Sequence, residues 1–184
     1  MNLNGTIVRD TVDPAGIAPD ASFQAILPYR DGFYRWPVEQ VQRFRTAGKH
    51  IIPVTVTGAN PHLAQVADCE RGDLTPAGAA QWARERNRLH GDAAHGDATV
   101  YVSLGSVPEL LAALGPEPCW LWIAWWQADG RPRLPQLELP PHIRLAAVQY
   151  ASHPAYDESK PAYDESKIVS AGWPAHPFTM LDQW

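Results

Sequence analysis

The segment Val66-Ala67-Asp68-Cys69-Glu70 sets two carboxylates two residues apart. In an extended strand, side chains alternate between faces, so Asp68 and Glu70 point one way and Cys69 the other. Two close carboxylates push their pKa values apart, and one can stay protonated near neutrality as a general acid. Left in a solvated loop, the same pair would carry no such role. Further acids fall at comparable places. Asp10 follows the first strand, and Asp157 or Asp164 follows the strand ending Gln149-Tyr150. Carboxylates converging on one end of a sheet suit a glycosidase, which protonates a leaving oxygen and stabilises an oxocarbenium-like centre. A hard divalent cation is the rival use of such a set.

Aromatic residues form a second group. Trp120, Trp122, Ala124 and Trp126 share one face of a strand; Leu121, Ile123 and Trp125 share the other. Most belong to a core, because aromatic rings carry large buried area. Trp126, at the strand's end, is the candidate platform for stacking a sugar, followed by the strand-end residues Tyr29 and Tyr150. The seven histidines are scattered and form no HExxH, and neither cysteine has metal-ligand spacing. Ser106 lacks the second glycine of a nucleophile elbow and reads as a helix cap. No glycine loop for phosphate is present. A glycosidase built on these acids would need no metal or organic cofactor.

The elements that must position these groups alternate. Strands are expected at Thr6–Arg9, Phe23–Tyr29, Ile51–Val56, Leu63–Glu70, Thr99–Ser103, Trp120–Trp126 and Arg144–Tyr150. Between them, Pro37 opens a helix that Gly48 stops, and Thr75-Pro76 starts another that ends near Gly91. A short third helix runs over Val107–Leu114. Seven strands with interleaved helices predict a parallel α/β sheet, and barrel closure is compatible with the pattern. No shift of composition divides the chain, so residues 1–184 are expected to be one domain. Strand C-terminal ends are where α/β barrels place their chemistry. The segment 154–160 reads PAYDESK and 161–167 repeats it. A tandem copy this short is expected to be a duplication in a surface loop.

With 184 residues and 45% hydrophobic side chains, the chain is long enough for a substantial core. A net charge of −5 without a basic stripe argues against a nucleic-acid partner. No apolar stretch is long enough to cross a bilayer, and the first residues carry no apolar signal core. The expectation is synthesis in a cytoplasm, with any action outside depending on lysis or carriage on a virion.

Taken together, three ordered motifs resemble the glycoside hydrolase family 25 lysozymes: Asp68-Cys69-Glu70; Trp122-Ile123-Ala124-Trp125-Trp126; and Val148-Gln149-Tyr150 with a later Tyr-Asp. The stretch Asp31-Gly32-Phe33-Tyr34-Arg35-Trp36-Pro37 is similar to one in lysozyme-like domains of high-GC bacteria and their phages. The resemblance implies an α/β fold of the irregular (β/α)-barrel type, TIM-barrel-like with fewer helices, and muramidase activity on bacterial cell-wall glycan. It implies that Glu70 is the general acid and that Asp68 positions the substrate or its acetamido group. Asp10, with Asp13 competing for its place, and either Asp157 or Asp164 match the family's remaining acids. The sugar's own acetamido group supplies the nucleophile in that picture.

Two functions stand as expectations. One is a peptidoglycan-directed glycosidase. The other is an inactive barrel kept as a glycan-binding or structural module of a phage particle or bacterial assembly. Geometry discriminates between them: the enzyme requires Glu70, Asp68, Asp10 and one late aspartate to line one open cleft.

Overall fold

The computed structural model describes residues 4–90, 96–153 and 162–173. Among the described residues, nine strands form one sheet: β1 (Ile7–Asp10), β2 (Ala25–Leu27), β3 (His50–Ile51), β4 (Val54–Thr55), β5 (Val66–Cys69), β6 (Thr99–Ser103), β7 (Cys119–Ala124), β8 (Ile143–His153) and β9 (Tyr163–Ile168). Their order across the sheet is β3-β2-β1-β9-β8-β7-β6-β5-β4.

The two ends of that order approach one another. β3 and β4 are consecutive in the chain, separated by Ile52 and Pro53. Proline lacks an N–H and interrupts a ladder, so the expected continuous strand Ile51–Val56 is broken in two. β3 pairs with β2 and β4 with β5, while Tyr29 bridges to Val54. There Val54 N donates to Pro28 O at 3.0 Å and Arg30 N donates to Val54 O at 2.8 Å. The sheet thus curls into an irregular α/β barrel.

Among the described residues, three α-helices pack outside it: α1 (Val38–Thr46), α2 (Pro76–His90) and α3 (Val107–Leu114). α1 buries Val41 and Phe44 against Phe23, Ile26, Trp36 and Ile51. α2 and α3 bury Ala79, Ala83, Leu110 and Leu114 against the outward residues Ala67, Cys69, Val100, Leu121 and Ile123. The barrel interior holds Val8, Leu27, Val54, Val66, Trp120, Trp122 and Ile168. The period-2 alternation of β5 and β7 therefore sorts side chains between inside and outside as their sequences require. The Thr75 hydroxyl caps α2, accepting from Gly78 N at 3.2 Å. Ser106 does not cap α3 through its side chain. Its hydroxyl instead meets that of Ser103 at 3.0 Å.

Two further expectations are corrected. The sheet is mixed rather than all parallel, because β9 runs antiparallel to both β1 and β8. The strand Arg144–Tyr150 is also not the last: the second PAYDESK copy, expected in a surface loop, forms β9. Its run Tyr-Asp-Glu-Ser-Lys-Ile lacks the β-branched signature of a strand. It pairs because Ser166 and Ile168 are buried within the barrel while Lys167 between them is left partly exposed. The first copy, with Asp157, lies outside the described residues.

Candidate active site

At the C-terminal ends of the parallel strands, a small open cleft is lined by Asp10, Asp68, Glu70 and Asp164. Asp68 projects inward from β5, and Glu70 comes two residues later on the same face. Asp10 ends β1, and Asp164 lies directly opposite it on the antiparallel β9. The turn after β5 fixes Glu70. Asp73 N donates to Glu70 O at 3.1 Å, and Leu74 N to Asp68 O at 3.2 Å. Gly72 adopts φ +104° in that turn, a conformation that residues with a Cβ rarely take.

Neutral groups complete the lining: Tyr29, Tyr101, Gln149 and Trp126. The ladder between β5 and β6 sets Tyr101 beside Asp68. Gln149 is buried, and its amide makes four hydrogen bonds. Nε2 donates to Asp10 Oδ2 at 3.3 Å and to Asp164 Oδ2 at 3.2 Å. Oε1 accepts from the Tyr101 hydroxyl at 2.5 Å and from Trp126 Nε1 at 3.1 Å. Trp126 is 59% exposed, with its ring at the rim of the cleft.

No family model matches the sequence, and no curated protein matches it. Solved structures do. A glycosyl hydrolase 25 virulence factor of Streptococcus pneumoniae aligns over 97% of this chain and 90% of its own, with a TM-score of 0.60 at 13% identity. A lysozyme from Streptomyces coelicolor covers 94% of this chain and 95% of its own, with a TM-score of 0.56 at 12% identity. A muramidase from Trichobolus zukalii covers 91% and 95%, with a TM-score of 0.52 at 13% identity. The fold is lysozyme-like. At these identities the likeness is one of fold, and what the residues of the cleft do must be argued from the cleft itself.

In this cleft every acid is pushed toward its protonated form. Burial raises Asp68 most, with help from the charges of Glu70 and Asp73, to about 8. Burial also raises Asp10 well above the usual carboxylate range, followed by the charges of Asp164, Asp68 and Glu70, while the Gln149 hydrogen bond opposes the shift. Glu70 is raised by burial and by Asp73 and Asp164, against a hydrogen bond from Tyr101. Asp164 is raised by burial, partly offset by Ser152 and His153. Asp68 Oδ1 is buried without a hydrogen-bond partner. A buried, unpaired acceptor at a cleft wall is an open position for a donor from a ligand. Among the described residues, no three His, Cys, Asp or Glu side chains are arranged to hold a metal ion.

The structure brings together Asp10, Asp68, Glu70, Asp164, Tyr29 and Trp126, all proposed from sequence. It does not bring Tyr150 or Asp13 to them. Gln149 takes the inward position on β8, so Tyr150 turns outward, where its hydroxyl donates to Glu165 Oε2 at 3.3 Å. Asp13 is exposed beyond β1, with its N–H bonded to the Thr11 hydroxyl. Tyr101 carried no sequence signal beyond its position near a strand end, and Gln149 stood in a quoted motif without a role. Alternation from Trp122 or Gln149 would have placed the inward residues and excluded Tyr150.

Proposed function

We propose that this chain belongs among the glycoside hydrolase family 25 lysozymes and cleaves bacterial cell-wall glycan, with Glu70 as the general acid. The observation that carries the reading is the convergence of Asp10, Asp68, Glu70 and Asp164 on one open cleft beside an exposed tryptophan. Like charges gathered in a half-buried space lower stability, so a structural role explains them poorly. A glycosidase needs such a set.

In this proposal a sugar ring rests on Trp126, and the scissile oxygen faces Glu70. The Glu70 proton passes to that oxygen as the C1–O bond breaks. The acetamido carbonyl oxygen of the same sugar closes onto C1, while Asp68 Oδ1 accepts the acetamido N–H and holds that group in place. Water then opens the cyclic intermediate at C1. The Glu70 carboxylate takes the water's proton, which restores the acid. Asp10 and Asp164 complete the far wall. The proposed partner is peptidoglycan, reached by release on lysis or by carriage on a phage particle or assembly.

The test is turbidity loss and reducing sugar released from purified peptidoglycan, comparing the wild type with Glu70→Gln. Removal of a general acid costs about 10²–10⁴-fold in rate, and a loss of that size with retained fold supports the reading. Equal activity in both proteins removes Glu70 from the role. Binding to the wall without turnover by either protein supports the non-catalytic glycan-binding module instead.

A further inference from the structure

Gln149 uses its whole hydrogen-bonding capacity inside the cleft. A primary amide offers two N–H donors and two acceptor lone pairs. Here the donors meet Asp10 and Asp164, and the acceptors meet Tyr101 and Trp126. The side chain is 1% exposed, so no water competes for these bonds. The amide also has one allowed orientation. Turned over, its oxygen would face two carboxylate oxygens, and its N–H₂ would face a hydroxyl donor and an indole N–H. The indole of Trp126 can only donate, so it defines which end of the amide is oxygen.

This has two consequences. First, the rim ring and the acid pair are joined through one rigid group. Trp126 has its ring in solvent and its N–H anchored on Gln149, and the other end of that amide holds Asp10 and Asp164. Second, the inner oxygen of each aspartate is an acceptor. Asp10 and Asp164 stand opposite one another across the β1–β9 ladder, and two close carboxylates share a proton rather than ionise together. With both Oδ2 atoms facing N–H donors, that proton belongs on the oxygens turned away from Gln149.

We propose that Gln149 is a positioning residue that locks Trp126 to the Asp10–Asp164 pair and keeps the pair's exchangeable proton off its inner oxygens, on the side available to a sugar. The proposal rests on the glycosidase reading for what the pair contacts, but the coupling itself is a property of the free protein. Substrate stacked on Trp126 and the protonation of the aspartates then act on each other through one amide.

The experiment tracks the indole N–H resonance of Trp126, assigned by its absence in Trp126→Phe, through a pH titration of uniformly ¹⁵N-labelled protein without ligand. In the wild type it should move with the ionisation of the aspartate pair, and Asp10→Asn should abolish or displace that titration. In Gln149→Met the resonance should no longer respond to the pair. Gln149→Glu serves as the second variant if the methionine protein does not fold. It keeps an acceptor for Tyr101 and Trp126 but sets a third carboxylate beside the two aspartates. The indole titration should then persist with its midpoint moved to higher pH. On peptidoglycan, Gln149→Glu should keep KM within about threefold while the pH limb of kcat/KM moves upward, as a changed acid environment requires. An indole resonance that ignores pH in the wild type, or that titrates identically in every folded Gln149 variant, overturns the coupling. Those outcomes are read without turnover. A protein inactive on the wall but with the expected titration loses the glycosidase reading and keeps this one.

Discussion

Asp10 and Asp164 are direct partners across the antiparallel β1–β9 ladder, and both carboxylates face into the same cleft. Like charges directly opposite in a sheet are destabilising. The arrangement persists because burial favours the neutral acid and because Gln149 donates to both inner oxygens. The cleft therefore stores unfavourable electrostatics that ligand binding or proton uptake can relieve.

That destabilisation is measurable through Asp68. Its carboxyl is raised to about 8 in the folded protein, against about 4 in an unfolded chain. Below both values the two states bind the same proton. Between them, the folded state holds a proton that the unfolded state releases, so stability falls as pH rises. Asp10, Glu70 and Asp164 shift in the same direction. Thermal melts should show a higher Tm near pH 5 than near pH 8. Asp68→Asn should recover at least about 3 °C at pH 8, equivalent to roughly 1 kcal/mol at this chain length, and change little near pH 4. A wild type whose Tm is flat across that window would contradict the raised acids.

Asp73 gives the same electrostatics a kinetic readout. After burial, its charge is the largest influence raising Glu70, yet Asp73 does not line the cleft. If Glu70 must be protonated to act, activity declines as pH rises through its raised pKa. Asp73→Asn should move that alkaline limb of kcat/KM to lower pH without abolishing activity. An unmoved limb would mean that another group controls it.

Much of this cleft is legible in the sequence alone, because alternation along a strand is a strong constraint. The sequence Val66-Ala67-Asp68-Cys69-Glu70 can only split its acids from its thiol, and the structure puts Asp68 at the cleft and Cys69 among Ala83, Val102 and Leu121. Neutral groups are harder. Tyr101 and Gln149 have no spacing signature, and their role exists only where β6, β7 and β8 converge. Tyr150 was misplaced by treating a strand end as sufficient, when Gln149 beside it already took the inward position. β9 escaped notice because a charged strand is held by its neighbours β1 and β8 rather than by its own hydrophobicity.

Trp126 should act on binding more than on chemistry. It is 59% exposed, and its indole N–H is already satisfied by Gln149. The remaining ring face therefore offers apolar area to a sugar. Covering a large side chain of this kind contributes about 2 kcal/mol, or roughly 30-fold in affinity. Trp126→Ala should raise KM by about that factor, with kcat reduced much less. A fall in kcat at unchanged KM would instead place the ring against the transition state.

The duplicated segment gives a sharper test of which acid completes the cleft. The copies are identical through Lys160 and Lys167, and they differ in the next residue. After Lys167 comes Ile168, which is fully buried in the barrel and whose N–H donates to Thr6 O at 3.0 Å. After Lys160 comes Pro161, which has no N–H to give and a ring in place of the isoleucine side chain. Ile168 thus suits the second copy to the strand slot beside β1, where Asp164 meets Gln149. Asp164→Asn should lower peptidoglycan hydrolysis at least about tenfold, a loss of roughly 1.4 kcal/mol in transition-state stabilisation. Asp157→Asn should change it less than twofold. Placing Pro at position 168 should give a protein in which the copies compete on equal terms, read as a lower Tm and as heterogeneous β9 amide resonances. Equal losses from Asp157→Asn and Asp164→Asn would refute the selection by Ile168.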